Sequence, residues 1–210
     1  MQTQVVNFVF DFGAVVFEWD PVKRVEKYFS SDLFGFETAQ ALAKNIFGHQ
    51  TWHEFDQGLV SMSAVISSTS KRLSIGAQAL RELIEPIGED LEPIKSSLRV
   101  LELLRYRRER GEMCRLFFLS NMPEPFARVL EVKHPFLNWF DAGIFSADVK
   151  LAKPDRQIYQ LLAKENHLNP ERTLFIDDQI LNVQAAESMG WRGLHLTHPS
   201  ELTEKIKFFL

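Results

Sequence analysis

Cysteine is nearly missing from this 210-residue chain: Cys114 stands alone, which excludes an internal disulfide and makes a reducing compartment the simplest setting. No run of 18 uninterrupted apolar residues occurs, and the first residues carry no basic segment followed by an apolar stretch and a small-residue cleavage site. The expectation is therefore a cytoplasmic protein with no membrane partner. An excess of positive charge is missing too. The formal net charge of −4 argues against a duplex-binding surface and so against a nucleic-acid partner. The one basic run, Arg105, Arg107, Arg108 and Arg110, ends just before Gly111, where cations are stabilised by the C-terminal end of a helix dipole. Internal repeats and low-complexity segments are absent as well, and no residue pattern assigns an oligomeric state.

What is present is a composition of 45% hydrophobic and 25% charged residues, that of a soluble globular protein able to bury roughly 70% of its unfolded surface. "NFVFDFG" (7–13) is a short apolar run that ends in Asp11 and a glycine. The same grammar returns in "RLFFLSN" (115–121), "AGIFSAD" (142–148), "TLFIDD" (173–178) and "GLHL" (193–196). Helical patterns over 94–109, 124–132, 155–166, 180–189 and 199–209 separate these strands. Strand and helix in alternation predict an α/β fold, a mostly parallel sheet covered by helices. Residues 21 to about 92 break the alternation. They read as amphipathic helices at 22–29, 37–47, 49–56, 63–73 and 77–84, an all-helical insertion that starts and ends near Asp11. We assign 1–16 and 93–210 to the core and 17–92 to a cap, which would exclude water and select substrate.

Polar clusters close the strands in chain order: Asp11, then Ser120 with Asn121, then Asp177 with Asp178. Lys153 precedes Pro154, and Pro suits the first turn of a helix. Alone, Asp11 or Ser120 reads more readily as a turn or cap residue, Lys153 as a solvated surface cation, and the Asp177–Asp178 doublet equally well as an N-cap. Their order and spacing together carry the argument. Asp11, "LSN", "KP" and "IDD" with Asn182 resemble the four ordered motifs of the haloacid dehalogenase-like hydrolase superfamily, in the branch with a helical C1 cap between the first two motifs. That resemblance implies a Rossmann-like parallel sheet of order 5-4-1-2-3, with Asp11 at the topological switch point.

A carboxylate at Asp11 can attack phosphorus and form an aspartyl phosphate, splitting one hard hydrolysis into two easier steps. Charge opposes this: a phosphate dianion with Asp11, Asp177 and Asp178 totals about −5, and like charges at 4 Å repel by about 4 kcal/mol at an effective dielectric of 20. Mg²⁺ and Lys153 return about +3. The resemblance implies that Asp11, Asp177, Asp178 and the Gly13 carbonyl hold Mg²⁺, that Ser120 and Lys153 bind the phosphate, and that Asn182 steadies the metal loop. The backbone amides of Ala14 and Asn121 are further expected phosphate partners. The expected substrate is a small phosphate ester.

The pattern departs from the family at Gly13, where most phosphatases carry a second Asp as general acid and base, a role worth 10² to 10⁴ in rate. The Asp-x-Gly opening resembles that of bacterial phosphatases acting on glucose 1-phosphate, although many of those follow the glycine with Asn where this chain has Ala14. Sugar phosphates, acyl phosphates and aryl esters, whose leaving groups need little protonation, are the expected substrates, with Glu18 or Asp20 as substitute acids. Haloacid dehalogenation and a phosphate-binding regulatory module are the alternatives. In the cap, Trp52, His53 and Arg72 are candidate substrate contacts. His49 and His53, four residues apart beside Trp52 and Phe55, read as cap packing and not as a metal site.

Overall fold

The structure, a computed structural model, describes residues 4–29 and 32–210. Residues 1–3 of the expected core and 30–31 of the expected cap lie outside the described residues. Five parallel strands form one sheet: β1 (Asn7–Phe10), β2 (Arg115–Ser120), β3 (Ala142–Phe145), β4 (Thr173–Asp177) and β5 (Arg192–His195). Their order is β3-β2-β1-β4-β5, the expected 5-4-1-2-3 seen from the opposite edge.

Among the described residues, six helices run between β1 and the rest of the sheet: α1 (Pro21–Tyr28), α2 (Ala39–Phe47), α3 (Gln50–Asp56), α4 (Met62–Leu73), α5 (Ala77–Ile84) and α6 (Ile87–Asp90). Six more accompany the strands: α7 (Lys95–Glu109), α8 (Glu124–Lys133), α9 (Ser146–Val149), α10 (Arg156–Asn166), α11 (Ile180–Glu187) and α12 (Leu202–Lys205).

Side chains of a parallel strand alternate between two covered faces, so such strands are apolar throughout. Val9, Phe117 and Phe175 pack with Ile158, Tyr159 and Leu162 of α10. Phe8, Phe10, Leu116 and Ile176 turn the other way, into a larger cluster that also takes Leu101 and Leu104 of α7 and Leu130 of α8. That cluster continues into Leu42, Phe47, Trp52 and Leu80 of the helical segment. The segment leaves and rejoins the sheet through paired backbone: Glu18 N–H donates to the Glu92 carbonyl and Ile94 N–H to the Val16 carbonyl, each at 2.8 Å.

Two expected elements differ and one element is unexpected. The strand drawn over 142–148 stops at Phe145, because Ser146 opens a helical turn whose hydroxyl accepts from Met122 N–H at 2.9 Å. The helix expected over 199–209 divides into α12 between two 3-10 turns. The short α6 is unanticipated; it depends on tertiary contact, since a Cβ at Gly88 would lie 3.1 Å from Phe126 Cα and Val129 Cβ of α8. The basic run ends α7 as expected, with Gly111 at φ +86. Arg105, Arg107 and Arg108 pair with Glu109, Glu112 and Asp141. Cys114 is buried, which pushes its thiol up to about 11. No helix among the described residues is long and apolar enough to cross a membrane.

Candidate active site

Register places the carboxylates. Phe10 pairs with Phe118 of β2 and Ile176 of β4, so the residue after each strand arrives at one end of the sheet. Asp11 N–H extends the ladder to the Ile176 carbonyl at 2.9 Å, which sets Asp11 level with Asp177 on one flank and with the Leu119–Ser120 end of β2 on the other. Beyond Asp11 the chain winds tightly: the N–H groups of Val15, Val16 and Phe17 all donate to the Phe12 carbonyl. Ala14 sits in this turn at φ +55, and its N–H donates to the Phe17 carbonyl at 2.9 Å. The amide expected to bind phosphate is therefore already bonded within the turn.

Lys153 lies between two carboxylates. Its Nζ is 2.8 Å from Asp11 Oδ1 and 2.6 Å from Asp177 Oδ2, with side-chain exposures of 1% for Lys153, 11% for Asp11 and 0% for Asp177. Asp11 is thus the one carboxylate of this pair with an accessible edge. Asn121 holds the lysine backbone on both sides: its Nδ2 donates to the Lys153 carbonyl and its Oδ1 accepts from Lys153 N–H, each at 2.9 Å. Sequence reasoning gave Asn121 only a backbone role; the side chain is what positions Lys153. The ammonium also lies 5.5 Å from the Phe175 ring centroid. Pro154 does not open a helix as expected. It follows Lys153 through a cis peptide in a turn, and α10 starts at Arg156 with Asp155 as its N-cap.

Both oxygens of Asp177 are occupied by protein donors. Gln179 N–H reaches Oδ1 at 2.7 Å, and Asn182 Nδ2 reaches Oδ1 and Oδ2 at 3.0 and 3.1 Å. Tyr159 donates to the Asn182 carbonyl at 3.0 Å, so Asn182 is itself held. Asp178 is freer. Its carboxylate accepts from Gln179 Nε2 at 2.5 Å, and its carbonyl lies 2.9 Å from His195 Nε2.

Carboxylate oxygens from Asp11, Asp177 and Asp178 lie within 4.8 Å of one another. Burial pushes Asp11 up to about 7; Lys153 opposes the rise, and Asp177 and Asp178 add to it. Burial likewise raises Asp178, with repulsion from Asp177 added. Burial works against the Lys153 ammonium, yet Asp11 and Asp177 hold it above its ordinary range. One buried cation faces three carboxylates, a deficit that a divalent ion would relieve. The donors are hard oxygens, and among the described residues no protein group donates to the Gly13 carbonyl. This set fits Mg²⁺.

A cavity of about 880 Å³ opens over these groups. Asp11, Gly13, Asn121, Lys153, Asp178 and Asn182 reach its wall. Ser120 is buried behind Asn121, Asp177 is buried behind Lys153, and Ala14 stands off the wall. The opposite wall comes from the helical segment, where Trp52 and His53 take part as expected. Arg72 does not; it donates to the Asn45 carbonyl at 2.7 Å. His49 caps α3, its Nδ1 accepting from Thr51 N–H at 3.2 Å. Neither suggested substitute acid survives. Glu18 is exposed and off the wall, and Asp20 caps α1 by accepting from Val22 and Lys23. Asp56, unremarked in the sequence because it ends an ordinary amphipathic helix, does line the cavity.

Comparison with known proteins agrees with this fold. A sesquiterpene phosphatase of Aspergillus oryzae is 27% identical over 90% of this chain and 88% of its own. A D-ribitol-5-phosphate phosphatase of Bacteroides thetaiotaomicron is 25% identical over 98% of each. Among solved structures, a haloacid dehalogenase family enzyme of Bacteroides thetaiotaomicron, in complex with magnesium and inorganic phosphate, superposes with a TM-score of 0.67 at 18% identity, covering 91% of this chain and 93% of that one. The profile of the haloacid dehalogenase-like hydrolases matches residues 36–190. With Asp11, Lys153 and the acidic doublet gathered at one end of a β3-β2-β1-β4-β5 sheet, the chain belongs to the haloacid dehalogenase-like hydrolase family.

Proposed function

We propose that the protein is a Mg²⁺-dependent phosphatase that hydrolyses a small phosphate monoester through an aspartyl phosphate on Asp11. The observation that carries this reading is the convergence of Asp11, Lys153, Asp177 and Asp178 beneath one cavity. Asp11 and Asp178, which reach the cavity wall, with the Gly13 carbonyl, would hold the ion. Asp177, saturated by protein donors, would position Lys153 and the metal loop. Bound there, Mg²⁺ supplies charge neutralisation of a phosphate dianion and orientation of its oxygens. The accessible edge of Asp11 faces the cavity as nucleophile, and Lys153 offsets negative charge at the attacked phosphorus. We assign the Asn121 amide to the phosphate oxygens; Ser120, buried and off the cavity wall, is left without that role.

We further propose residues 17–92 as the cap, entering and leaving at the paired backbone around Phe17 and Pro93. The buried part of its cavity wall is apolar: Phe17, Ala43, Phe47, Trp52, Ile87 and Leu91. Of the polar members, Gln40, Lys44, Gln50 and His53 are solvent-exposed, and Asp56 and Gln57 are half-buried. This lining supports an ester with an extended apolar leaving group over a sugar phosphate, a preference consistent with the Aspergillus relative. The lone buried cysteine supports a reducing, cytoplasmic setting.

The fold alone does not choose between phosphate and halide chemistry. The acid-rich floor favours phosphate, because three carboxylates without a cation would repel the carboxylate of a haloacid. The test is a turnover screen over alkyl, terpenyl, aryl and sugar phosphates with and without Mg²⁺, using Asp11→Asn as the blank. Metal-dependent phosphate release that the blank lacks is expected. Halide release in chelator, or phosphate binding without turnover of any ester, would replace this reading.

A further inference from the structure

Gly13 leaves the site without the acid that the family pattern places two residues after the nucleophile. A leaving alkoxide at neutral pH needs a proton from somewhere. Among the carboxylates on the cavity wall, Asp11 and Asp178 belong to the nucleophile and metal set, which leaves Asp56.

Asp56 is the last residue of α3, and the structure fastens it to the core at that point. Its carbonyl accepts from the Ser146 hydroxyl, which in turn accepts from Met122 N–H at 2.9 Å, next to Asn121. Two residues on, the Gly58 carbonyl takes Lys150 Nζ at 2.7 Å. The approach there is close: Gly58 has φ +64, and a Cβ on it would lie 2.9 Å from the Ala147 carbonyl oxygen. Asp56 therefore does not depend on a remote part of the helical segment for its place on the wall it shares with Asp11. No hydrogen bond or ion pair engages its carboxyl among the described residues. Asp20, in contrast, is spent on a helix cap.

Resting on the phosphatase reading above, we propose that Asp56 is the general acid and base of this site, supplying from the helical segment the proton that Gly13 cannot. In the first step an Asp11 oxygen bonds to phosphorus, the bond from phosphorus to the leaving oxygen breaks, and that oxygen takes the Asp56 proton to depart as an alcohol. In the second, the Asp56 carboxylate takes a proton from water as the water oxygen bonds to phosphorus. The Asp11–phosphorus bond breaks, inorganic phosphate forms, and both carboxyl groups regain their starting states.

The groups on the cavity wall around Asp56 are Asp11, Asp178 and Lys153 from the core, Lys44 of α2, and His53 one turn back on α3. Burial lifts the Asp56 carboxyl well above the ordinary carboxylate range; Asp11 adds to the rise and Lys153 opposes it. A carboxyl in that state carries the proton the first step uses.

The experiment compares primary alkyl phosphates with aryl phosphates of acidic phenols, in steady state and in the first turnover, with Mg²⁺ present. The wild type should show a shallow dependence on leaving-group pKa. Asp56→Asn should lose about 10² to 10⁴ in alkyl turnover, yet release one equivalent of acidic phenol per enzyme in a rapid burst before a slow steady state. The burst certifies an intact Asp11 site in the variant. The nearest atoms to a Cβ at Gly13 belong to the Trp19 side chain, at 3.6 to 3.8 Å, an ordinary contact, and adding Gly13→Asp to Asp56→Asn should restore alkyl turnover. A steep leaving-group dependence in the wild type, or an Asp56→Asn variant that turns over both ester classes as the wild type does, would overturn the proposal. A wild type that hydrolyses no ester would instead defeat the phosphatase reading.

Discussion

At the scale of single residues, the site is organised around a shortage of positive charge. Asp11 is held near 7 instead of the ordinary 3.8, so folding favours its protonated form. The sign follows: in metal-free protein the Asp11 contribution to stability is fully present below about pH 4 and is lost as pH rises through about 7. Asp11→Asn removes that penalty. In chelator it should be more stable than the wild type at pH 8 by an amount on the order of 3 kcal/mol, with the gap narrowing towards pH 4; urea unfolding at both pH values measures it. Lys153→Met should act oppositely, because it leaves Asp11 and the buried Asp177 without a cation. A loss of about 3 to 5 kcal/mol is expected at pH 8, together with loss of turnover.

At the scale of elements, strands whose residues are all apolar deliver polar residues only at their ends, and that is why much of this site was legible in the sequence. Asp11, Asn121 and Asp178 follow the last residues of β1, β2 and β4, and Ser120 and Asp177 close the last two, as expected. What was not legible depends on contacts between distant segments. The side chain of Asn121 reaches the Lys153 backbone across 32 positions, a bond that no local pattern encodes. Ala14 reads as a free amide in sequence, yet the turn after β1 consumes it. Asp56 ends an unexceptional amphipathic helix, and its backbone is tied to the core by the Ser146 hydroxyl from 90 positions away. Asn121→Ala should cost about 1 to 3 kcal/mol by leaving both Lys153 backbone groups unpaired. It should also lower kcat while Mg²⁺ affinity, followed by calorimetry, stays close to wild type.

At the scale of the whole molecule, one hydrophobic cluster joins the sheet to the helical segment, and the cavity lies over the sheet's polar end between them. Away from the buried Asp11, Lys153 and Asn182 at the sheet end, the buried wall of the cavity is mostly aromatic and aliphatic, so an apolar leaving group should gain by burial at about 0.8 kcal/mol per methylene. In a series of linear alkyl phosphates, kcat/KM should therefore rise about two- to four-fold per added carbon until the cavity is filled; a flat series would contradict an apolar leaving-group site. The account as a whole turns on a cation completing a trap for phosphate over Asp11. The most direct measurement is aryl phosphate hydrolysis by chelated protein titrated with Mg²⁺, in parallel for wild type and Asp11→Asn. The account predicts no turnover before Mg²⁺ is added, saturable recovery in the wild type and none in the variant. Turnover that persists in chelator, or that survives the loss of Asp11, would contradict it.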